Sequence, residues 1–303
     1  LADIVVLGVF VADLTFRADR MPSMGETLLG NAFALGPGGK GSNQAVACGR
    51  LGASVALISR LGEDDFGQLA RHTWDGAGVR PIVYSKPGVS TGAAFVFVND
   101  QTGDNAIIIT PGAANDLCAE DLDASASEIA AAKVFITQLE QPLDAAKRGL
   151  EIARAAGVTT ILNTAPGRDL PDEMLALCDI VTPNETEAKD LTGIAVTDDA
   201  SAMAACAKLK ARGVKQPMIT LGERGVYLDG FGVIPAQSFG PVVDTTGAGD
   251  AFNAGLATAL SEGKAIVEAA QFGCAVAGLA VTRAGAAAAM PTRQELATAF
   301  SQR

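Results

Sequence analysis

Residues 243–253 read Val-Asp-Thr-Thr-Gly-Ala-Gly-Asp-Ala-Phe-Asn, which sets the carboxylate of Asp250 directly behind a Gly247-Ala248-Gly249 turn. A helical pattern starts there, apolar at Phe252, Leu256 and Leu260. Small residues let backbone N–H groups approach an anion, and a helix N-terminus adds a positive field. An acid at that place is repelled by phosphate unless it has a task. Accepting a proton from an attacking hydroxyl, while the N–H groups of Gly247, Ala248 and Gly249 hold charge on a migrating phosphoryl group, is such a task. Taken alone, the same residues also describe an ordinary helix with an acid in its first turn.

A second glycine cluster, Gly36-Pro-Gly-Gly-Lys-Gly-Ser-Asn-Gln-Ala, precedes another helical pattern over residues 42–51. It contains Gly36-x-Gly38-x-x-Gly41, with Glu63 and Asp64 roughly twenty residues on, so a dinucleotide site and an NAD-dependent oxidoreductase compete as readings. Against them, the cluster does not follow the first strand, and Lys40, Ser42 and Asn43 sit where a pyrophosphate wants small residues. It is not a P-loop, because Gly41 follows Lys40 and position 34 is alanine. What remains is a backbone nest with Lys40 and Asn43 at a helix start, which suits hydrogen bonding to a polyol.

Composition narrows the partners. A net charge of −11 repels a nucleic acid backbone and requires local donors and a cation, Mg²⁺ being the obvious one, to admit a polyphosphate. Five scattered cysteines without a C-x-x-C pair read as reduced structural thiols of a reducing, cytoplasmic compartment. The single histidine, His72, falls in a helical pattern and is expected on the surface. The apolar run 4–11 lacks a basic leader and a cleavage site, so it is expected to be a first buried strand; no run reaches membrane-spanning length.

The elements that must position these groups alternate. Short apolar or β-branched runs at 55–59, 134–137, 160–163, 180–183 and 218–221 read as parallel strands covered on both faces. Helical patterns at 143–155 and 200–212, stopped by Gly157 and Gly213, lie between them. At 303 residues and 49% hydrophobic, the chain is expected to form one α/β unit around a doubly wound, mostly parallel sheet. Ligands then bind beyond the carboxyl ends of the strands, where Asp13, Glu140 and Asn184 each follow an apolar run. Two insertions, about 15–36 and 91–110, break the alternation and are expected to build a small β-sheet, either a lid over the cleft or a surface hairpin. Phe95 and Phe97 on it are candidates for a dimer surface.

Five blocks in order, Gly38-Gly-Lys-Gly-Ser-Asn-Gln-Ala-Val-Ala47, Gln138-Leu-Glu140, Thr182-Pro-Asn-Glu-Thr-Glu-Ala188, Thr220-Leu-Gly-Glu-Arg-Gly225 and Asp244-Thr-Thr-Gly-Ala-Gly-Asp250, resemble the ribokinase-like sugar kinases, the phosphofructokinase-B family. The resemblance spans the chain. It implies an ATP-dependent kinase acting on the primary hydroxyl of a pentose, with the sugar held by Asp13, Gly39, Lys40, Asn43 and Glu140 and with Asp250 as catalytic base. It implies further that Asn184 and Glu187 organise Mg²⁺-ATP largely through water, and that Thr220, Gly222, Gly225, Gly247 and Gly249 meet the nucleotide. A monovalent cation, K⁺ by preference, is implied near Asp244, Thr246, Ala280 and Gly285. A homodimer through the lid, by way of the small sheet's apolar residues, is expected as well. Two positions depart from the pattern. Ala289 replaces a frequent serine beside the cation site, and Val11-Ala12-Asp13 stands where ribose-specific members typically read Asn-Ala-Asp, an apolar start resembling the 2-deoxyribose kinases. A catalytically silent sugar sensor is the remaining alternative.

Overall fold

The computed structural model describes residues 1–85 and 87–302. Its strands are β1 (Ile4–Leu7), β2 (Val11–Ala18), β3 (Ala32–Gly38), β4 (Val55–Leu61), β5 (Val79–Ser85), β6 (Thr91–Asn99), β7 (Asn105–Gly112), β8 (Val134–Thr137), β9 (Thr159–Leu162), β10 (Ile180–Val181), β11 (Gln216–Thr220), β12 (Val226–Leu228) and β13 (Gly232–Ile234). Nine of them form one sheet in the order β13-β12-β11-β10-β9-β8-β1-β4-β5. It is parallel from β11 to β5, and only the β11–β12 and β12–β13 pairings at one edge are antiparallel, so that β12 alone runs against the rest.

Burial on both faces follows from the alternation within each strand. Ile4 and Val6 enter one apolar cluster with the helices Lys40–Arg50, Asp65–Gly76, Ala248–Ser261 and Ile266–Ala280. Val5 and Leu7 enter the other, with Leu122, Ile129 and Leu150 of the opposite helical layer. Helices Ala248–Ser261 and Ile266–Ala280 approach so closely that a Cβ on Gly255 would stand 2.8 Å from the Cα of Gly273. That contact fixes the helix bearing Asp250 against its neighbour on the same face of the sheet.

The run at 4–11 divides into two elements. β1 ends at Leu7, and Val11 already begins β2 of a separate four-stranded sheet, ordered β3-β2-β6-β7. The small sheet therefore starts four residues before the expected 15, and Asp13 sits within its strand β2, paired with Gly36 and Ala94, and does not occupy a loop at the edge of the large sheet. Gly8 explains the break, because the start of the helix Lys40–Arg50 crosses there and a Cβ on Gly8 would collide with Gly41. Strand β5 escaped the sequence reading because Pro81 interrupts it; proline is tolerated here since β5 is the sheet edge.

Register in the small sheet places Phe33, Phe16, Phe97 and Ala106 in one row and Leu35, Leu14, Phe95 and Ile108 in the next, all on one face. Much of that face is bare, with Phe33 57% and Ile108 68% exposed. Phe97, proposed from sequence as part of a contact surface, is buried, and Phe95 is half-buried against Phe16. Val11, Asp13 and Thr15 take the opposite face. His72 is exposed, as expected, and among the described residues no helix is long and apolar enough to cross a membrane.

Candidate active site

The carboxyl ends of the parallel strands carry the polar groups. Gln138 and Glu140 follow β8, Asn163 and Thr164 follow β9, Thr182 and Asn184 follow β10, and Thr220 closes β11. Opposite them stand the N-terminal turns of two helices, Lys40–Arg50 and Ala248–Ser261. The first needs glycine before it: Gly39 has φ of +89° and packs on the Val9 carbonyl, where no side chain fits. The second is entered through Gly247 at φ of +75°.

Asp250 is 4% exposed, with both oxygens occupied. Asn43 Nδ2 donates to its Oδ2 at 3.0 Å, and Gln44 Nε2 donates to its Oδ1 at 2.9 Å. Asn43 Oδ1, also buried, has no partner among the described residues, an orphan acceptor that a ligand hydroxyl would satisfy. Glu140 accepts the backbone N–H of Lys40 at 2.7 Å, taking the capping role that Gly39 cannot fill. Asp13 lies against Gly38, where any Cβ would collide with its carboxylate.

Burial governs the charges. It lifts Asp13 to about 6. It lifts Glu140 to about 7, opposed by the Lys40 ammonium and N–H and reinforced by the negative charges of Asp250 and Asp13. Asp250 is likewise pushed up by burial, against the pull of Lys40, Asn43 and Gln44. Lys40 thus acts on Glu140, Asp250 and Glu187 together, the cation at the centre of an acidic cleft.

A second cluster adjoins the first. Asn184 caps the helix Glu185–Thr192: its Oδ1 accepts the Glu187 N–H at 2.8 Å, and Glu187 Oε2 accepts the Asn184 N–H at 3.0 Å. The two residues are a capping box and also the N-x-x-E block noted in the sequence. Thr164 Oγ1 donates to Glu187 at 3.4 Å, and Asn184 bridges to Thr220 in parallel pairing. Gly222, with φ of +55°, leaves open space beyond β11, whereas Gly225 is required by the turn into β12, where a Cβ would strike the Ile234 carbonyl.

Behind the Gly247 turn, Asp244 accepts the N–H groups of Thr246 at 2.9 Å and Gly285 at 2.8 Å. Burial pushes this carboxyl upward, but hydrogen bonds from the Gly285 N–H and from the hydroxyl and N–H of Thr246 outweigh it and hold it below the ordinary range. Ala280 ends its helix with its carbonyl accepting the N–H of Arg283; the carbonyl that meets the Asp244 segment is that of Val281, which the sequence reading had not named. The Ala248 N–H, expected to face a phosphoryl group, is engaged by the Thr245 carbonyl at 3.1 Å. Gly249 and Asp250 therefore carry the first-turn N–H groups without an intrahelical partner. Among the described residues no cluster of three metal-ligating side chains exists.

Other polar residues of the site had no role assigned from sequence. Gln44, Gln138, Asn163, Thr182 and Asn253 form a buried chain from Asp250 to the Gly249 carbonyl. Gln138, Asn163 and Thr182 each follow a parallel strand directly, so the sheet-edge rule applied to every strand would have found them. Gln44 gave no signal of its own.

A doubly wound sheet with acids and amides at its carboxyl edge, facing a glycine-entered helix with a first-turn aspartate, defines a phosphotransferase acting on an alcohol. The chain belongs to the pfkB family of carbohydrate kinases, whose pattern it matches over residues 1–293. It is similar to the ribokinase of Haemophilus influenzae, 40% identical over 295 residues and 96% of each chain. The deoxyribokinase of Salmonella typhi is 36% identical over 255 residues, 82% of this chain and 83% of that one. The structure of Arabidopsis thaliana ribokinase complexed with ribose and ATP superimposes with a TM-score of 0.92 at 34% identity, covering 99% and 98% of the two chains.

Proposed function

We propose that this carbohydrate kinase transfers the terminal phosphoryl group of ATP to the primary hydroxyl of ribose, giving ribose 5-phosphate. The observation that carries the reading is the buried Asp250 carboxylate, held by Asn43 beside an orphan acceptor and beside the Lys40–Glu140 pair. Asp13, Glu140 and Asn43 accept and donate to the sugar hydroxyls, and the backbone at Gly39 and the Lys40 side chain complete that pocket. Asp250 orients the primary alcohol and takes its proton. The N–H groups at the start of the helix Ala248–Ser261 receive the charge on the moving phosphoryl group.

ATP lies across Asn184, Glu187, Thr220, Gly222, Gly225, Gly247 and Gly249, on the strand-end side of the same cleft. A lone Glu187 with Asn184 suits Mg²⁺, which keeps its waters and takes few protein ligands; when bound, it neutralises the phosphate charge. The Asp244 carboxylate with the backbone carbonyls of Thr246, Ala280 and Gly285 supplies the kind of oxygen donors a monovalent cation such as K⁺ takes; bound there, it would stiffen the turn that presents Gly247. Closure of the lid excludes water from the transfer. Its bare apolar face supports a homodimer through the lid. The chain forms one ribokinase-like kinase domain that works in the cytoplasm, an assignment its unpaired cysteines favour.

A 2-deoxyribose kinase is the second reading. Val11 supports it, since it shares a strand face with Asp13 and cannot hydrogen-bond a hydroxyl. A dinucleotide site at Gly36–Gly41 is disfavoured, because Gly36 and Gly38 lie in lid strand β3, outside the first β-α turn of the main sheet. Release of ADP across ribose, 2-deoxyribose, fructose and nucleosides, with Mg²⁺ and with or without K⁺, decides among these. No ADP with any of them would leave a silent sugar sensor.

A further inference from the structure

We propose that Gln44 is a positioning residue that assigns unequal roles to the two oxygens of Asp250, reserving Oδ1 as a fixed acceptor and leaving Oδ2 to take the substrate proton. The inference rests on the kinase reading above. Gln44 is fully buried, and its Nε2 donates both to Asp250 Oδ1 at 2.9 Å and to Asn163 Oδ1 at 3.1 Å. Its Oε1 accepts from Gln138 Nε2 at 2.6 Å.

The polarity of this chain is set by a group that cannot be inverted. The Thr182 carbonyl only accepts, so Asn163 turns its Nδ2 toward it, at 3.4 Å, and its Oδ1 toward Gln44. Gln44 must then present its amide hydrogens to Asn163 and Asp250. A flipped Gln44 would set an oxygen against each of those oxygens and a nitrogen against the Gln138 donor. Asp250 Oδ1 therefore always faces a donor, and a proton on it would collide with an N–H.

Oδ2 differs. It is held by Asn43, whose own Oδ1 is the orphan acceptor of the pocket, so a sugar hydroxyl can lie between Asn43 Oδ1 and Asp250 Oδ2, donating to the carboxylate as it attacks. The charged groups acting on Asp250 are the Lys40 ammonium, which favours its ionised form, and Glu140, whose charge opposes it. Asp13 on strand β2 acts on Glu140 in turn. Gln44 adds a hydrogen bond to the ionised form and offsets part of the cost of burial.

The test uses Gln44→Met, which keeps length and removes the amide, and Gln138→Met, which reaches Asp250 only through Gln44. For ADP release with ribose, Gln44→Met is expected to lower kcat at pH 7 by about 10- to 100-fold, with KM for ATP within about twofold. The acid limb of kcat is expected to move up by about one to two pH units, so that most of the loss is recovered near pH 9. Gln138→Met should act in the same direction by about threefold to tenfold. An equal loss at every pH, or none, in folded Gln44→Met refutes the inference while leaving the kinase reading intact. A substrate-free readout stands beside this: the Tm penalty of Gln44→Met is expected to grow from pH 5 to pH 9, and to lose that growth in an Asp250→Asn background. If the wild type releases no ADP with any sugar, the proposed function falls, and this thermal cycle alone upholds or overturns the pairing.

Discussion

The carboxylate of Glu140, at the end of β8, accepts the backbone N–H of Lys40 at 2.7 Å and so caps a helix whose preceding residue, Gly39, has no side chain to offer. A strand end and a helix start far apart in sequence are thereby joined across the cleft. The capping acid is also an ionisable one, lifted by burial to about 7.

A pH dependence follows from that pair. Glu140 at about 7 and Asp13 at about 6 both lie above their unfolded values near 4, so the folded state binds more protons between those limits. Their contribution to stability is full below about pH 4 and is lost as pH rises through 6 and 7, at about 1.4 kcal/mol per pH unit per proton or less. The Tm of the ligand-free protein should fall from pH 5 to pH 8 more steeply in the wild type than in Glu140→Gln. Parallel pH curves for the two would contradict the buried placement of this carboxyl.

Replacing Asp250 by asparagine keeps the shape and removes the proposed base. Turnover should drop by about 10²–10⁴-fold, while ATP affinity, measured by titration calorimetry, stays within about threefold. Retained turnover would mean that another group accepts the proton.

Val11→Asn tests sugar choice. Val11 is buried on the strand face it shares with Asp13, and an asparagine there could bond a hydroxyl that valine leaves unpaired, a difference of about 1–3 kcal/mol. The ratio of kcat/KM for ribose over 2-deoxyribose should rise about tenfold or more. An unchanged ratio removes Val11 from the specificity argument.

Gly8→Ala should be destabilising out of proportion to one methyl group. Its Cβ would meet the Gly41 Cα at 2.5 Å and Gln138 Oε1 at 2.7 Å, forcing the helix Lys40–Arg50 away from β1. A loss of about 1–3 kcal/mol in urea unfolding is expected, with a raised KM for the sugar because Lys40, Asn43 and Gln44 ride on that helix. Wild-type stability would show that the helix shifts freely.

Asp244→Ala releases the N–H groups of Thr246 and Gly285 at once. Any activation of ADP release by K⁺ should disappear, and KM for ATP should rise about fivefold or more as the Gly247 turn loosens. Persistence of K⁺ activation would place the cation elsewhere.

Much of this molecule was readable in the chain. Strand β8 and the helix Leu143–Ala155 coincide with the sequence pattern, because a short β-branched run between helical periods has few alternatives in a doubly wound sheet. The chemical types at the site, Lys40, Asn43, Glu140 and Asp250, were legible from glycine spacing and from polar residues at strand ends. Strand β5 was hidden by Pro81, and the first strand of the small sheet begins at Val11, ahead of the expected insertion, because Gly8 divides one apolar run between two sheets.

Tertiary structure alone decided how these residues meet. Asn43 and Asp250 are 207 positions apart and Lys40 and Glu140 are 100 apart, so no local rule relates them. Gln44, Asn163 and Thr182 acquire a polarity only when a backbone carbonyl, two amides and a carboxylate are buried together and each donor must find an acceptor. Local propensity specifies the elements, whereas burial, which makes every unpaired polar atom costly, specifies which of them face one another.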